Sequence, residues 1–279
     1  MSSWRFRAKS PLAEAEPDLG RAVCELQLAD AVVVITGAGN GIGAAMARKF
    51  AASGAKVVLG DVDADAVRQV AAEVGGTAVP GDAAGEDGVR ALVDTALGEH
   101  GRIDLFCANA GISRGGGPEA DEAAWAQSWE VNVMAHVRAA RAVLPHWLEQ
   151  GRGHFLATVS AAGLLTMLKA APYSVTKHAA LGFAEWLAIS YADQGITVQA
   201  LCPQGVRTNM LGSSSNAGEV ILAKGALEPE EVADVVADSL GSGEFLILPH
   251  PEVADYYALR AAEPQRWQAG MRKLQRKVQ

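Results

Sequence analysis

The chain has 279 residues, 49% of them hydrophobic and 20% charged, which is enough to bury the core of one α/β domain and excludes a wholly disordered chain. Its 30 glycines follow no Gly-X-Y period, so they point to tight turns rather than to a collagen-like rod. A net charge of −8 argues against nucleic acid or an anionic membrane surface as a partner. The three cysteines, Cys24, Cys107 and Cys202, are too few and too scattered for a disulfide framework or a metal site. No run of 18 apolar residues occurs and the first 20 residues have no apolar h-region, so the expectation is a cytoplasmic protein without a membrane span.

Residues 1–30 carry no strong period and are expected to form an N-terminal arm. Over 31–250, short β-branched runs alternate with segments of helical period, the pattern of βαβ units. Strands are expected at 31–36, 56–60, 77–79, 103–108, 154–159, 197–202 and 245–248. Helices are expected at 41–53, 63–74, 85–99, 121–150, 172–193 and 229–241, with one or two more in a C-terminal helical extension over 251–279. Right-handed crossovers turn these into a single Rossmann-type, doubly wound α/β domain with a seven-stranded parallel sheet flanked by helices. The Gly/Ser-rich stretch 212–225 has the composition of a loop that could cover a site.

The first strand runs into Thr36-Gly37-Ala38-Gly39-Asn40-Gly41-Ile42-Gly43, which opens a helix. Glycines there permit a tight turn and let backbone N–H groups approach a pyrophosphate, although an ordinary strand-to-helix turn also uses glycine. Asp61 ends the second strand, 24 residues after Gly37, close to the spacing at which an acid accepts hydrogen bonds from an adenosine ribose. Without a nearby cation, that carboxylate would repel a 2′-phosphate, which favours NAD over NADP. The plainer reading of Asp61 is a helix cap.

Tyr173 and Lys177 are four apart in a segment of helical period, so both project from one helix face. A nearby ammonium favours a phenolate, which makes the pair a candidate general acid/base. Ser160 ends a strand 13 residues earlier, and ligands bind at strand C-terminal ends in open α/β sheets. Singly, Ser160, Asn132 and Asp82 also read as turn, buried helix and loop-cap residues.

Taken together, these residues resemble the short-chain dehydrogenase/reductase (SDR) family over about 31–248. Its TGxxxGxG turn is matched by Thr36, Gly37, Gly41 and Gly43, its NAG element by Asn109-Ala110-Gly111, its helix asparagine by Asn132, its serine by Ser160 and its YxxxK by Tyr173 and Lys177. The resemblance implies Tyr173 as general acid/base, Lys177 lowering its pKa and holding the nicotinamide ribose, and Ser160 bonding the reacting oxygen. Asn132 is expected to hold a proton-relaying water. Cofactor contacts are expected from Gly37, Gly39, Asn40, Gly41, Ile42 and Gly43, from Asp61 and Val62, and from Asp82 and Ala83 near adenine. Asn109, Ala110 and Gly111 should lie by the ribose, and Pro203, Gly205, Val206 and Thr208 near the carboxamide. The sequence departs from the family pattern at Ala108, Val159 and Gln204; the last stands where a glycine usually follows the proline.

The implied activity is NAD-dependent interconversion of a secondary alcohol and a ketone. The alternatives are a dinucleotide-binding sensor without turnover and an NADPH-dependent ketoreductase. Of the residues expected to face substrate, Ser113–Gly117 and Ala161–Ala171 are mostly apolar, and Arg114, Lys169 and Arg207 are the cations in reach, so a neutral, apolar alcohol is expected. Trp125, Trp129, Trp147 and Trp186 fall in the two long helices that pair subunits in the family, implying a homodimer or homotetramer; core packing within one subunit is the other reading.

Overall fold

Residues 26–212 and 225–277 are described by a computed structural model, with backbone alone at 211 and 212. Most of the expected N-terminal arm and the stretch 213–224 lie outside the described residues. Seven strands, β1 (Val32–Thr36), β2 (Lys56–Asp61), β3 (Thr77–Pro80), β4 (Leu105–Ala108), β5 (Gly153–Thr158), β6 (Ile196–Leu201) and β7 (Leu246–Ile247), form one sheet of order β3-β2-β1-β4-β5-β6-β7. Every pairing is parallel.

All five residues of β1 and all four of β4 are buried, because helices cover both sheet faces. Alternation along β1 feeds two cores. Val32 and Val34 face the side holding Phe106, Phe155 and Trp147, while Val33 and Ile35 face the side holding Met46, Phe50, Leu59 and Val67. Helices α1 (Gly41–Ala52), α2 (Ala64–Val74) and α9 (Pro229–Ser239) cover the second side. Helices α3 (Glu86–His100), α5 (Ala135–Gln150) and α7 (Ala171–Tyr191) cover the first.

The expected helix over 121–150 is interrupted. It comprises α4 (Glu122–Trp129), one π turn (Glu130–Met134) and α5. The Ala135 N–H reaches back to the Glu130 carbonyl across that wider turn, and Asn132 lies within it. Short helices α6 (Ala161–Leu164) and α8 (Asn209–Gly212) follow β5 and β6. After β7 come two more, α10 (Glu252–Ala262) and α11 (Pro264–Gln275).

Strand order reverses between β2-β1 and β1-β4, which opens a crevice beyond the C-terminal ends of β1 and β4. The glycine turn, Asp61, the 109–111 segment and Ser160 all emerge at this end of the sheet. No helix among the described residues is long and apolar enough to cross a membrane.

Candidate active site

The glycine turn is held by atoms that leave no room for side chains. Gly37 adopts φ 64°, and a Cβ there would stand 2.9 Å from the Ala110 Cα. A Cβ on Gly43 would come within 2.1 Å of the Gly37 carbonyl oxygen and 2.6 Å of Asn109 Nδ2. Asn109 stitches the turn to its neighbours: its Nδ2 donates to the Thr36 and Gly37 carbonyls at 3.0 and 3.2 Å, and its Oδ1 accepts from Thr158 Oγ1 at 3.0 Å. Thr36 Oγ1 accepts the N–H groups of Asn109 and Ala110.

Asp61 accepts the Gly39 N–H on Oδ2 at 2.8 Å and the Asp63 N–H on Oδ1 at 3.0 Å. It is not the helix cap: Asp63 fills that place on α2, accepting from the Ala66 N–H. Each Asp61 oxygen keeps a second lone pair, and the residue lines a cavity of about 900 Å³ that it shares with Gly37, Asn40, Gly41, Ile42 and 109–111. A bare glycine cradle at a helix N-terminus with a carboxylate at its side is a donor and acceptor set that fits a dinucleotide.

At the other end of the cavity stand Ser160, Tyr173 and Lys177. Ser160 sits between β5 and α6 with φ 154°; its Oγ accepts the Ala162 N–H at 3.1 Å and is hydrogen-bonded with the Tyr173 phenol. Lys177 is 3% exposed, donates from Nζ to the Thr158 carbonyl at 2.9 Å and lies 5.8 Å from the centre of the Tyr173 ring. Burial pushes the Tyr173 phenol above its ordinary value, and the Ser160 hydrogen bond pulls the other way. Burial also brings the Lys177 ammonium down to about 8. Within the chain alone, therefore, desolvation outweighs the serine hydrogen bond at the phenol.

Asn132 is fully buried in the π turn and does not line the cavity. Its Oδ1 accepts the Ile112 N–H at 2.9 Å, while its Nδ2 donates to the Ile112 carbonyl at 2.9 Å and to Thr176 Oγ1 at 3.1 Å. It thus ties the strand-end segment to α7. A Cβ at Gly111 would stand 3.4 Å from both Asn132 Oδ1 and Lys177 Nζ, so the glycine leaves a gap between them.

Pro203, Gly205, Val206 and Thr208 line the cavity beyond β6. Gly39, Gly43, Val62, Asp82 and Ala83 do not: Val62 is 72% exposed, Ala83 is core, and Asp82 Oδ1 accepts the Ala84 N–H in the turn before α3. Of the expected substrate-facing cations, Arg114 bonds Gln127, Arg207 bonds Glu228, and neither they nor Lys169 line the cavity.

Two features escaped the sequence reading. His250, 4% exposed, accepts the Gln204 N–H on Nδ1 at 3.2 Å and donates from Nε2 to the Gly225 carbonyl at 3.1 Å. The backbone path around Gln204 is therefore pinned by a residue 46 positions away. The second feature is α10–α11, whose residues Tyr256, Leu259, Trp267, Met271 and Leu274 line the same cavity. The spacing of Trp267, Met271 and Leu274 marks one helix face, a signal available in the sequence. Among the described residues, no group of three His, Cys, Asp or Glu is placed to hold a metal.

The family model for short chain dehydrogenases matches residues 31–218. The chain is 36% identical over 239 residues to 1-deoxy-11-beta-hydroxypentalenate dehydrogenase of Streptomyces exfoliatus, covering 81% of this chain and 86% of that protein. It is 34% identical over 220 residues to cis-4-hydroxycyclohexanecarboxylate dehydrogenase of Sinomonas cyclohexanicum, covering 75% and 88%. Among solved structures, a short chain dehydrogenase/reductase from Burkholderia phymatum in complex with NAD superimposes with a TM-score of 0.79 at 30% identity, covering 86% of this chain and 96% of that one. With the parallel seven-stranded sheet and the matched motifs, this makes the chain a member of the short-chain dehydrogenase/reductase family, an oxidoreductase of the kind that acts on hydroxy compounds.

Proposed function

We propose that the protein is an NAD-dependent dehydrogenase interconverting a secondary alcohol and its ketone, with Tyr173 as general acid/base. The observation that carries this is the joining, in one cavity, of Ser160 and the buried Tyr173 and Lys177 with Asp61 and the glycine cradle. Relatives named for dehydrogenation of hydroxylated ring compounds, and a neighbour holding NAD, support the reaction class and the cofactor.

Gly37, Asn40, Gly41 and Ile42 would hold the pyrophosphate, Asp61 the adenosine ribose, and the segment from Pro203 to Thr208 the carboxamide side. When bound, the nicotinamide supplies the carbon that accepts or returns the hydride. Tyr173, as phenolate, takes the hydroxyl proton of the alcohol, and Ser160 Oγ donates to the reacting oxygen as charge develops there. Lys177 spends one N–H on the Thr158 carbonyl and keeps two for the ribose and for the charge of the phenolate. The gap at Gly111, bounded by Lys177 Nζ and Asn132 Oδ1, gives a water room to carry the proton onward from the lysine.

Asp61 favours NAD, since a 2′-phosphate would meet its charge, and among the described residues the cations that line the cavity are Lys177 and Arg266, neither of which is bonded to Asp61. A second copy of the chain is part of this reading, with α4, α5 and α7 as the paired face. The test is NADH formation from a panel of secondary alcohols at alkaline pH, beside Tyr173→Phe, together with dissociation constants for NADH and NADPH. Turnover lost in Tyr173→Phe with NADH still bound is the expected result. Bound NADH without turnover of any alcohol, or tighter NADPH, would overturn the corresponding part.

A further inference from the structure

We propose that the C-terminal helix pair α10–α11 is the specificity-determining wall of this site, selecting secondary alcohols with a bulky hydrocarbon body over short ones. The proposal rests on the dehydrogenase reading above and names its substrate class.

The pair follows β7 and turns at Glu263, so that Tyr256 and Leu259 from α10 and Trp267, Met271 and Leu274 from α11 reach the cavity that holds Tyr173. On α11 the residues 267, 271 and 274 fall on one face, and they are half-buried while most of the helix is exposed. No residue of α11 is fully buried. Trp267 packs against the edge of the core and beside the Tyr256 ring, and with Met271 and Leu274 it also borders the cavity, so this apolar face is a surface that a bound hydrocarbon would cover. The facing wall, Leu165 and Met167, is apolar as well.

The wall is registered to the chemistry. Arg260 of α10 donates through Nη1 to the Leu164 carbonyl and, at 2.9 Å, to His178 Nε2. His178 donates in turn from Nδ1 to the Ser174 carbonyl at 2.8 Å, on the helix that carries Tyr173 and Lys177. Apart from Glu252, the Tyr256 phenol and Arg266, the described residues of this wall that line the cavity offer hydrocarbon, so size is what it chiefly reads. Among the described residues the cavity has, besides Lys177, one cation, Arg266, which is 70% exposed and bonded to Glu263 at 2.9 Å, so none of them adds a desolvated clamp for an anionic group. A cavity of about 900 Å³ stands near the upper end of small-molecule sites, roughly 300–1,000 Å³. Each methylene of substrate buried on this wall should raise kcat/KM about fourfold.

The experiment measures kcat/KM for 2-butanol, cyclohexanol, 4-tert-butylcyclohexanol and decahydro-2-naphthol with NAD. In parallel, the matching ketones are titrated calorimetrically into the enzyme with NADH present. The expected result is a rise of tenfold or more from 2-butanol to the bulkiest alcohols, with a bulky-to-small ratio that falls at least about fivefold in Trp267→Ala and Met271→Ala and is retained in Trp267→Phe. Circular dichroism checks that each variant is folded. Equal kcat/KM across the series, or a ratio unchanged in both alanine variants, overturns the proposal. If no alcohol turns over, yet ketone affinity grows with size and is lost in Trp267→Ala, the wall stands and the dehydrogenase reading falls. Ketones that fail to bind at any size overturn the wall itself.

Discussion

Lys177 places an amine in the buried part of the site. Its ammonium is 3% exposed, and burial brings it from the ordinary 10.5 to about 8. Below pH 8 it is charged in both the folded and unfolded chain, and folding carries the desolvation cost. Between about 8 and 10.5 the unfolded chain holds the proton while the folded one does not, so stability rises with pH across that window and is level above it. The stability of the wild type minus that of Lys177→Met should accordingly grow by on the order of 3 kcal/mol from pH 8 to 10.5, read from urea unfolding at several pH values. A flat difference would mean that the amine is solvated.

His250 is the second case at this scale. Replacing it by Phe strands the Gln204 N–H and the Gly225 carbonyl, a loss of about 1–3 kcal/mol for each group left without a partner. His250→Asn, which can place an amide oxygen toward Gln204, should recover part of the loss, and both thermal midpoints and the NADH dissociation constant report it. Lys177 and Tyr173 were legible because four residues on a helix is a local spacing. His250 was not, because its partners lie 46 and 25 positions away and no local pattern signals them.

Among the elements, the strands were the most legible: each short β-branched run is a strand, within two residues at either end. Such runs need burial on both faces, and only the sheet centre supplies it. The π turn was not legible, since helical period continues through 130–134; what opens the turn is Asn132 bonding to Ile112 and Thr176, two contacts made only in the folded chain. The glycines divide in the same way. A Cβ at Gly43 would stand 2.1 Å from the Gly37 carbonyl oxygen, whereas one at Gly98, exposed near the end of α3, would meet nothing within 4 Å beyond its own helix backbone. Gly43→Ala should thus destabilise by roughly 1–3 kcal/mol and weaken NADH binding at least tenfold, because backbone must move. Gly98→Ala should stabilise by up to about 1 kcal/mol through helix propensity alone. Denaturant midpoints for the two variants distinguish a glycine required by close approach from one that is merely tolerated.

At the scale of the whole molecule, strand order and crossovers follow from the βαβ alternation, but the covering of the site by α10–α11 depends on where a tail folds, which periodicity does not state. The tryptophans show the same limit. Trp147 is fully buried and donates to the Ile103 carbonyl at 2.8 Å, so it belongs to the core, while Trp129 and Trp186 are 44% and 56% exposed. Along α7, Val175, Trp186 and Ile189 recur on one face, with Ile189 77% exposed, and α4, which carries Trp129, packs beside α7. An apolar face of this kind on a chain of net charge −8 is suited to a two-fold contact in which the same helices meet their own copies, because the apolar residues then cover one another without bringing unlike surfaces together. A stable contact needs about 1,000 Å² or more of buried surface, which the long helices can supply only if both participate. Sedimentation at micromolar concentration should therefore show a dimer or tetramer. Ile189→Glu combined with Trp186→Glu should give monomers, and the thermal midpoint of the wild type, unlike that of the double variant, should rise with protein concentration, since association favours the folded state. A wild-type chain that sediments as a monomer, with a midpoint independent of concentration, would assign Trp186 and Ile189 no partner and remove the second copy from the proposed function.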